Sequence, residues 1–201
     1  MIWGYYATST PVDARQKLHK DDPFFSQFLS YWKKLASDAD GVPTRRQFCP
    51  WEITKDLPNI FMINRNLDGT FSVRLTGSAL DFAGDEHFQP GNDIEQFDEK
   101  GRAAYGAYFD ALFEGRCACW NERIYITATG AALQAEAVSV PLFDDNKNVQ
   151  IALGKMRLTA LKKQQDIEVK GYDYSHLHCL DYFDVGYGVP EGLWTYHAKS
   201  T

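Results

Sequence analysis

Residues 59–75 read NIFMINRNLDGTFSVRL, and this stretch decides the fold. The run from Asn59 to Asn64 (Asn-Ile-Phe-Met-Ile-Asn) has the apolar, β-branched and aromatic content of a strand. Asp68-Gly69 is a hairpin turn, and Phe71 to Leu75 is the returning strand. Strict alternation predicts Phe71, Val73 and Leu75 on one face and Ser72, Arg74 and Thr76 on the other. A connection this short demands antiparallel neighbours.

Working outward, the segment before the hairpin opens on a helix start. Asp22 can cap free backbone N–H groups, and Pro23 suits the first helical position. Phe24, Phe25, Phe28, Tyr31, Trp32 and Leu35 then recur at helical spacing and form one wide aromatic face. Gly41-Val42-Pro43 ends the helix, and an extended linker runs through Pro50 and Pro58. After the hairpin, Gly77 to Gly84 reads as a short helical turn, followed by a loop with His87, Pro90 and Gly91. A longer helix is expected from Asp98 to Gly115, with Ala104, Tyr105, Tyr108, Phe109, Leu112 and Phe113 buried and Gly115 as its left-handed stop. Three more strands follow, roughly Trp120 to Thr129, Ala132 to Leu142 and Val149 to Leu161. Gly130 and the polar run Asp144 to Asn148 separate them. Five strands with helices between the second and third imply an α+β fold: an antiparallel sheet with helices on one face.

Bulk properties narrow the function. The 201 residues suit one domain with extensions, and 44% hydrophobic content supplies a core. A net charge of -6 with scattered Lys and Arg argues against nucleic-acid binding, which needs clustered cations. The sequence shows no membrane-span pattern and no signal-peptide pattern after Met1, so a cytoplasmic location and no membrane partner are expected. Cys117 and Cys119, two apart on a strand, put both thiols on one face. Reduced, partly buried thiols are the expectation, because a zinc site would add a second ligand pair.

The order helix, strand, strand, short helices, longer helix, three strands carries a resemblance. So do the segments Tyr31-Trp32-Lys33-Lys34-Leu35, Pro43-Thr44-Arg45, Leu57-Pro58-Asn59-Ile60-Phe61, Val73 to Ser78 and Val140-Pro141-Leu142. Together they resemble a bacterial subfamily of PAS domains whose members often stand alone. The resemblance runs from Phe24 to Leu161 and implies a PAS-like five-stranded antiparallel sheet. It divides the chain into an N-terminal extension (1–22), a PAS-like domain with its leading helix (23–161) and an aromatic-rich C-terminal extension (162–201). It implies a sensory or protein-interaction module, with a small molecule held between sheet and helices or with none at all. It carries no catalytic residues and fixes no cofactor. The absence of cysteine between Thr76 and Arg116 disfavours a flavin-adduct photoreceptor.

Candidate ligand-binding residues are Arg74, His87, Tyr105, Tyr108, Phe109 and Trp120. Arg74 could pair with a ligand carboxylate, and His87 could ligate haem iron or bond an acidic ligand. The alternatives are a surface arginine and an exposed loop histidine. The tyrosines would supply polar handles in an aromatic wall, or simply pack. Glu136 needs a partner if buried, and Arg123 on the neighbouring strand is the expected one. The leading helix offers Phe28, Tyr31 and Trp32 as a partner-binding surface for a homodimer or a regulatory protein. In the tail, His176, His178 and Cys179 with Asp181 or Asp184 could suggest a metal, but no matching second ligand pair exists. That dense aromatic tail is expected to wrap over the domain or meet a partner. Two competing readings are a small isomerase- or hydrolase-like enzyme using Asp81, His87 and Glu136, and a ligand-free dimerisation adaptor.

Overall fold

The computed structural model describes residues 21–80, 89–92, 99–126, 132–146, 148–161, 177–193 and 196–197. The first helix, α1 (Pro23–Ala39), begins where its capping chemistry puts it. Asp22 is extended and its carboxylate accepts the N–H of Phe24 at 2.9 Å, while Pro23 needs no bond at the first position. Phe25, Phe28, Leu29, Tyr31, Trp32 and Leu35 form its buried stripe. Each such burial stabilises by about 1.5–3 kcal/mol relative to exposure. Asp40, left-handed at φ 51°, closes the helix by donating its N–H to the carbonyls of Ala36 and Ser37.

The sheet contains β1 (Ile60–Arg65), β2 (Phe71–Thr76), β3 (Ala118–Ile126), β4 (Ala132–Phe143), β5 (Val149–Ala160), β6 (Leu177–Phe183) and the two-residue β7 (Tyr196–His197). Their order is β2-β1-β5-β4-β3-β6-β7, with every pairing antiparallel. The five strands read from the sequence are all present, and the expected total of five is corrected by β6 and β7. Segment 177–183, read only as part of a tail, zips onto β3 from Ala118↔Phe183 to Arg123↔Leu177. At the centre, β1 pairs with β5, and the Phe61 ring lies over its cross-strand partner Gly154. A Cβ there would lie 2.0 Å from the ring of Phe61.

Strand alternation sorts the interior into two cores. The stripe of α1 packs with Ile60, Met62, Trp120, Val138, Val140, Leu142, Ile151 and Leu153 on one face. Helix α2 (Glu99–Phe113) packs with Phe61, Ile63, Val73, Cys117, Cys119, Ala135, Ala137, Ala152 and Met156 on the other. From β6, Phe183 joins the α1 core while Leu180 and Tyr182 join the α2 core.

Two local readings are corrected. The β1–β2 register shifts so that Ile63 faces Val73 but Met62 faces Leu75, leaving Arg74 as the extra residue of a bulge. Leu75 therefore leaves the face of Phe71 and Val73 and stands 39% exposed on the α1 side. At the end of α2 the left-handed residue is Arg116 (φ 53°), not Gly115. Gly115 serves close packing instead, since a Cβ would come within 2.7 Å of both the Ala111 carbonyl and Pro190 Cγ.

Candidate functional site

Helix α2 lays an aromatic face on the sheet. Tyr108 sits edge-on to Phe109 at 5.2 Å, Tyr105 lies 6.1 Å from Tyr108, and Phe71 of β2 stacks on Phe109 at 3.8 Å. Beneath this layer, odd-numbered residues from the start of β3 face α2: Cys117, Cys119, Asn121 and Arg123. Their neighbours across β4 are small, with Cys119 opposite Ser139, Asn121 opposite Ala137 and Arg123 opposite Ala135. This is a polar row on an alanine floor.

Most polar groups there have a definable role. The Tyr108 hydroxyl donates to Ser139 Oγ. The thiols of Cys117 and Cys119 donate to the carbonyls of Ala111 (3.3 Å) and Tyr108 (3.5 Å), tying β3 to α2. Burial pushes the Cys119 thiol well above its ordinary value, while the Cys119 S–H lowers that of Cys117. The opposite directions are the donor and acceptor sides of one thiol–thiol interaction. The carbonyl contacts favour two protonated thiols. Burial likewise raises the Tyr182 hydroxyl far above its usual range, with the two cysteines beside it adding to the effect. The Arg123 guanidinium, 2% exposed, lies 4.8 Å from the centre of the Tyr105 ring in a cation–π contact.

Of the six ligand-site candidates, the structure brings Tyr105, Tyr108 and Phe109 together. Trp120 is on the opposite face, because an even position of β3 points to α1. Its ring packs edge-on to Phe25 at 4.7 Å, and its Nε1 donates to Glu122. Arg74 is exposed at the bulge, with only a long 3.5 Å contact to Asn64. His87 and Asp81 lie outside the described residues, as does His176. Among the described residues no cluster of three metal-ligating groups forms.

The opposite face holds a clamp of charges around the start of α1. Lys155, 2% exposed, donates to Asp56 at 2.7 Å and to the Phe24 carbonyl, under the Phe24 ring at 3.9 Å. Arg157 bridges Glu136 and Asp22, each at 2.7 Å. The expected Glu136–Arg123 pair is thus corrected: Glu136 faces α1 and Arg123 faces α2, so the sheet separates them. The residue directly across from Glu136 on β5 is Arg157. Phe28, Tyr31 and Trp32, expected as a partner surface, are buried on the chain's own sheet. Trp32 even donates its Nε1 to the Pro141 carbonyl at 2.9 Å.

Sequence reading missed Asn121 and Ser139 and gave Arg123 the wrong role. The signal was available in the parity of β3, where every second residue from Cys117 is polar or sulfur-bearing.

No helix of the described residues is long and apolar enough to cross a membrane. No curated protein matches the chain. A family model described as PAS domain matches residues 21–157, from the cap of α1 to the clamp arginine of β5. The match covers α1, α2, β1 to β4 and β5 as far as Arg157, and on that span the chain belongs to the PAS domain family.

Proposed function

We propose that the chain is a sensory module that holds a small molecule beneath α2 and signals through protein contacts made on its α1 side. One observation carries this reading. Adjacent residues on three strands serve opposite faces: Asn121 and Glu122, Ala135 and Glu136, Met156 and Arg157. A ligand that spreads the strands under α2 therefore moves the carboxylates and the guanidinium that clamp α1. Signalling requires that the ligand bind the two arrangements of the clamp with different affinity.

With Phe28, Tyr31 and Trp32 turned inward, association as a homodimer or with a regulatory protein would use the outer side of α1. Trp51 stands 75% exposed there, next to Glu52, which pairs with Lys34 of α1 at 3.2 Å. The enzyme reading draws less support, since Glu136 is engaged by Arg157.

The test combines native mass spectrometry with hydrogen exchange. A co-purifying small molecule is expected, and its removal should speed exchange in residues 23–28. A chain that carries no molecule, or whose α1 exchange ignores ligand removal, rejects the sensory reading. Trp51→Ser should weaken association measured by light scattering, while unchanged association removes that surface.

A further inference from the structure

We infer that Cys117 and Cys119 form a redox site: a hydroperoxide joins their thiols in a disulfide that spans one residue, and the new bond loosens α2 from β3. This goes beyond the sensory reading above and needs no molecule bound beneath α2. Both cysteines are free thiols buried on the α2 face. The Cys119 S–H also serves the Cys117 sulfur, so the two sulfurs are direct neighbours. Residues two apart on an extended chain hold their Cα atoms about 6.4–6.8 Å apart, the long end of what a disulfide spans. Cys117 has room to close the remainder, because β3 and its ladder to β6 begin only at Ala118. Arg116 before it is exposed and left-handed at φ 53°, which sets Cys117 at the edge of the core and Cys119 deeper inside.

The two thiols divide the chemistry. The Cys119 S–H favours a thiolate on Cys117, which makes Cys117 the nucleophile, while burial keeps Cys119 protonated. Cys117 gives up its proton, its sulfur attacks the terminal peroxide oxygen, and the O–O bond breaks. The leaving oxygen takes up that proton, so the products are a sulfenic acid and an alcohol, or water from hydrogen peroxide itself. The Cys119 sulfur then attacks the sulfenic sulfur, and its proton leaves with the hydroxyl as water. Two thiols are oxidised to one disulfide and one hydroperoxide is reduced. The disulfide is uncharged and suits an apolar core. A metal held by the pair would instead need two buried thiolates, and no cluster of three metal-ligating groups forms among the described residues.

The same hydrogens hold the helix. Cys117 donates to the Ala111 carbonyl and Cys119 to the Tyr108 carbonyl, both on α2. A disulfide carries no S–H, so forming it removes both ties at once. Tyr108 and Phe109, part of the aromatic face on the sheet, belong to the segment that is released. Neither sulfur reaches the surface, so the oxidant enters when the last turn of α2 opens. A bond at the limit of the allowed span is strained, and strained disulfides are the ones glutathione reduces. The site therefore resets.

The test uses the full chain, reduced and then treated with hydrogen peroxide. Remaining thiols are blocked with iodoacetamide in urea, and the chain is cut with trypsin. Cleavage after Arg116 and Arg123 yields a peptide, 117–123, that holds Cys117 and Cys119 without Cys49 or Cys179. The expected peptide is unalkylated and lighter by the mass of two hydrogen atoms, and glutathione treatment before blocking returns the alkylated form. Amide exchange in residues 105–113 should speed by at least about threefold in the oxidised chain, as fits the loss of two weak hydrogen bonds. Cys119→Ser should halt the reaction at a Cys117 sulfenic acid that dimedone traps, and Cys117→Ser should leave Cys119 unreacted. The parent chain reports the bond directly, so the question stays decided if either variant fails to fold. A peptide alkylated on both sulfurs under peroxide that oxidises Cys49 overturns the redox site. So does a disulfide from either cysteine to Cys49 or Cys179, or a 117–119 bond that forms only in urea. A 117–119 bond with unchanged exchange in residues 105–113 overturns the release of α2.

Discussion

Replacing Trp32 with phenylalanine separates a packed core from a partner surface. Trp32 is fully buried, and its indole N–H reaches the Pro141 carbonyl of β4. Phenylalanine keeps a ring in place but removes that donor, and a buried acceptor left unbonded costs about 1–3 kcal/mol. The ring atoms lost amount to one or two methylene equivalents, worth about 0.8 kcal/mol each. The expected loss of stability is therefore about 2–4 kcal/mol. For a chain of this length that lowers Tm by roughly 5–15 °C. Urea unfolding followed by far-ultraviolet circular dichroism measures the change, with light scattering on the same samples. A lower midpoint with an unchanged slope and unchanged association state is the expected pair of results. Stability within about 0.5 kcal/mol of the parent, together with lost self-association, would refute the reasoning and return α1's aromatic face to a partner.

Removing the carboxylate of the clamp by Asp56→Ala leaves Lys155 buried against a carbonyl and a ring, and is expected to cost about 2–4 kcal/mol in the same urea assay. A loss below half of that shows that water already screens the pair. Tyr182 is expected to shape the alkaline limb. Its hydroxyl is held neutral in the fold well above its ordinary value of 10.0, so from about pH 10 the unfolded chain releases a proton that the folded chain keeps. Stability then falls with rising pH by about 1.4 kcal/mol per unit for this group. Tyr182→Phe should flatten that limb, and an unchanged slope assigns the alkaline loss elsewhere. Ending the chain at Leu161 removes β6, bares the β3 edge and takes Leu180, Tyr182 and Phe183 from both cores. Aggregation or loss of the cooperative transition is expected, whereas a 1–161 chain melting like the parent makes β6 dispensable.

Much of this architecture was legible because it is written locally. Asp22-Pro23 starts α1, Asp68-Gly69 turns the hairpin, and the Asp144 carboxylate folds the β4–β5 turn by accepting the N–H groups of Asn146 and Asn148. What escaped depends on register between distant segments. Nothing near Arg74 marks a one-residue bulge, yet that bulge moves Leu75 across the sheet. Glu136 has Glu122 on one side and Arg157 on the other, and only the β4–β5 pairing reveals which neighbour neutralises it. In the site, Tyr105, Tyr108 and Phe109 follow from helical spacing, and the opposite faces of Trp120 and Arg123 follow from strand parity, but which face meets α2 depends on the pairing of distant strands. The strand Leu177–Phe183 was hidden because its partner, β3, lies more than fifty residues upstream and no tight turn joins them.

The place of β6 beside β3 also sets a timetable for synthesis. All five strands from β1 to β5 are made by Ala160, but β3 keeps one hydrogen-bonding edge bare until Phe183 has been added. At about 5–20 residues per second those last twenty-odd residues take roughly one to four seconds on the ribosome. A single hairpin forms in about 1–10 μs, so a nascent chain that pairs β3 with β4 waits with an open edge and two unfinished cores. In that window another nascent chain's strand can pair where β6 belongs.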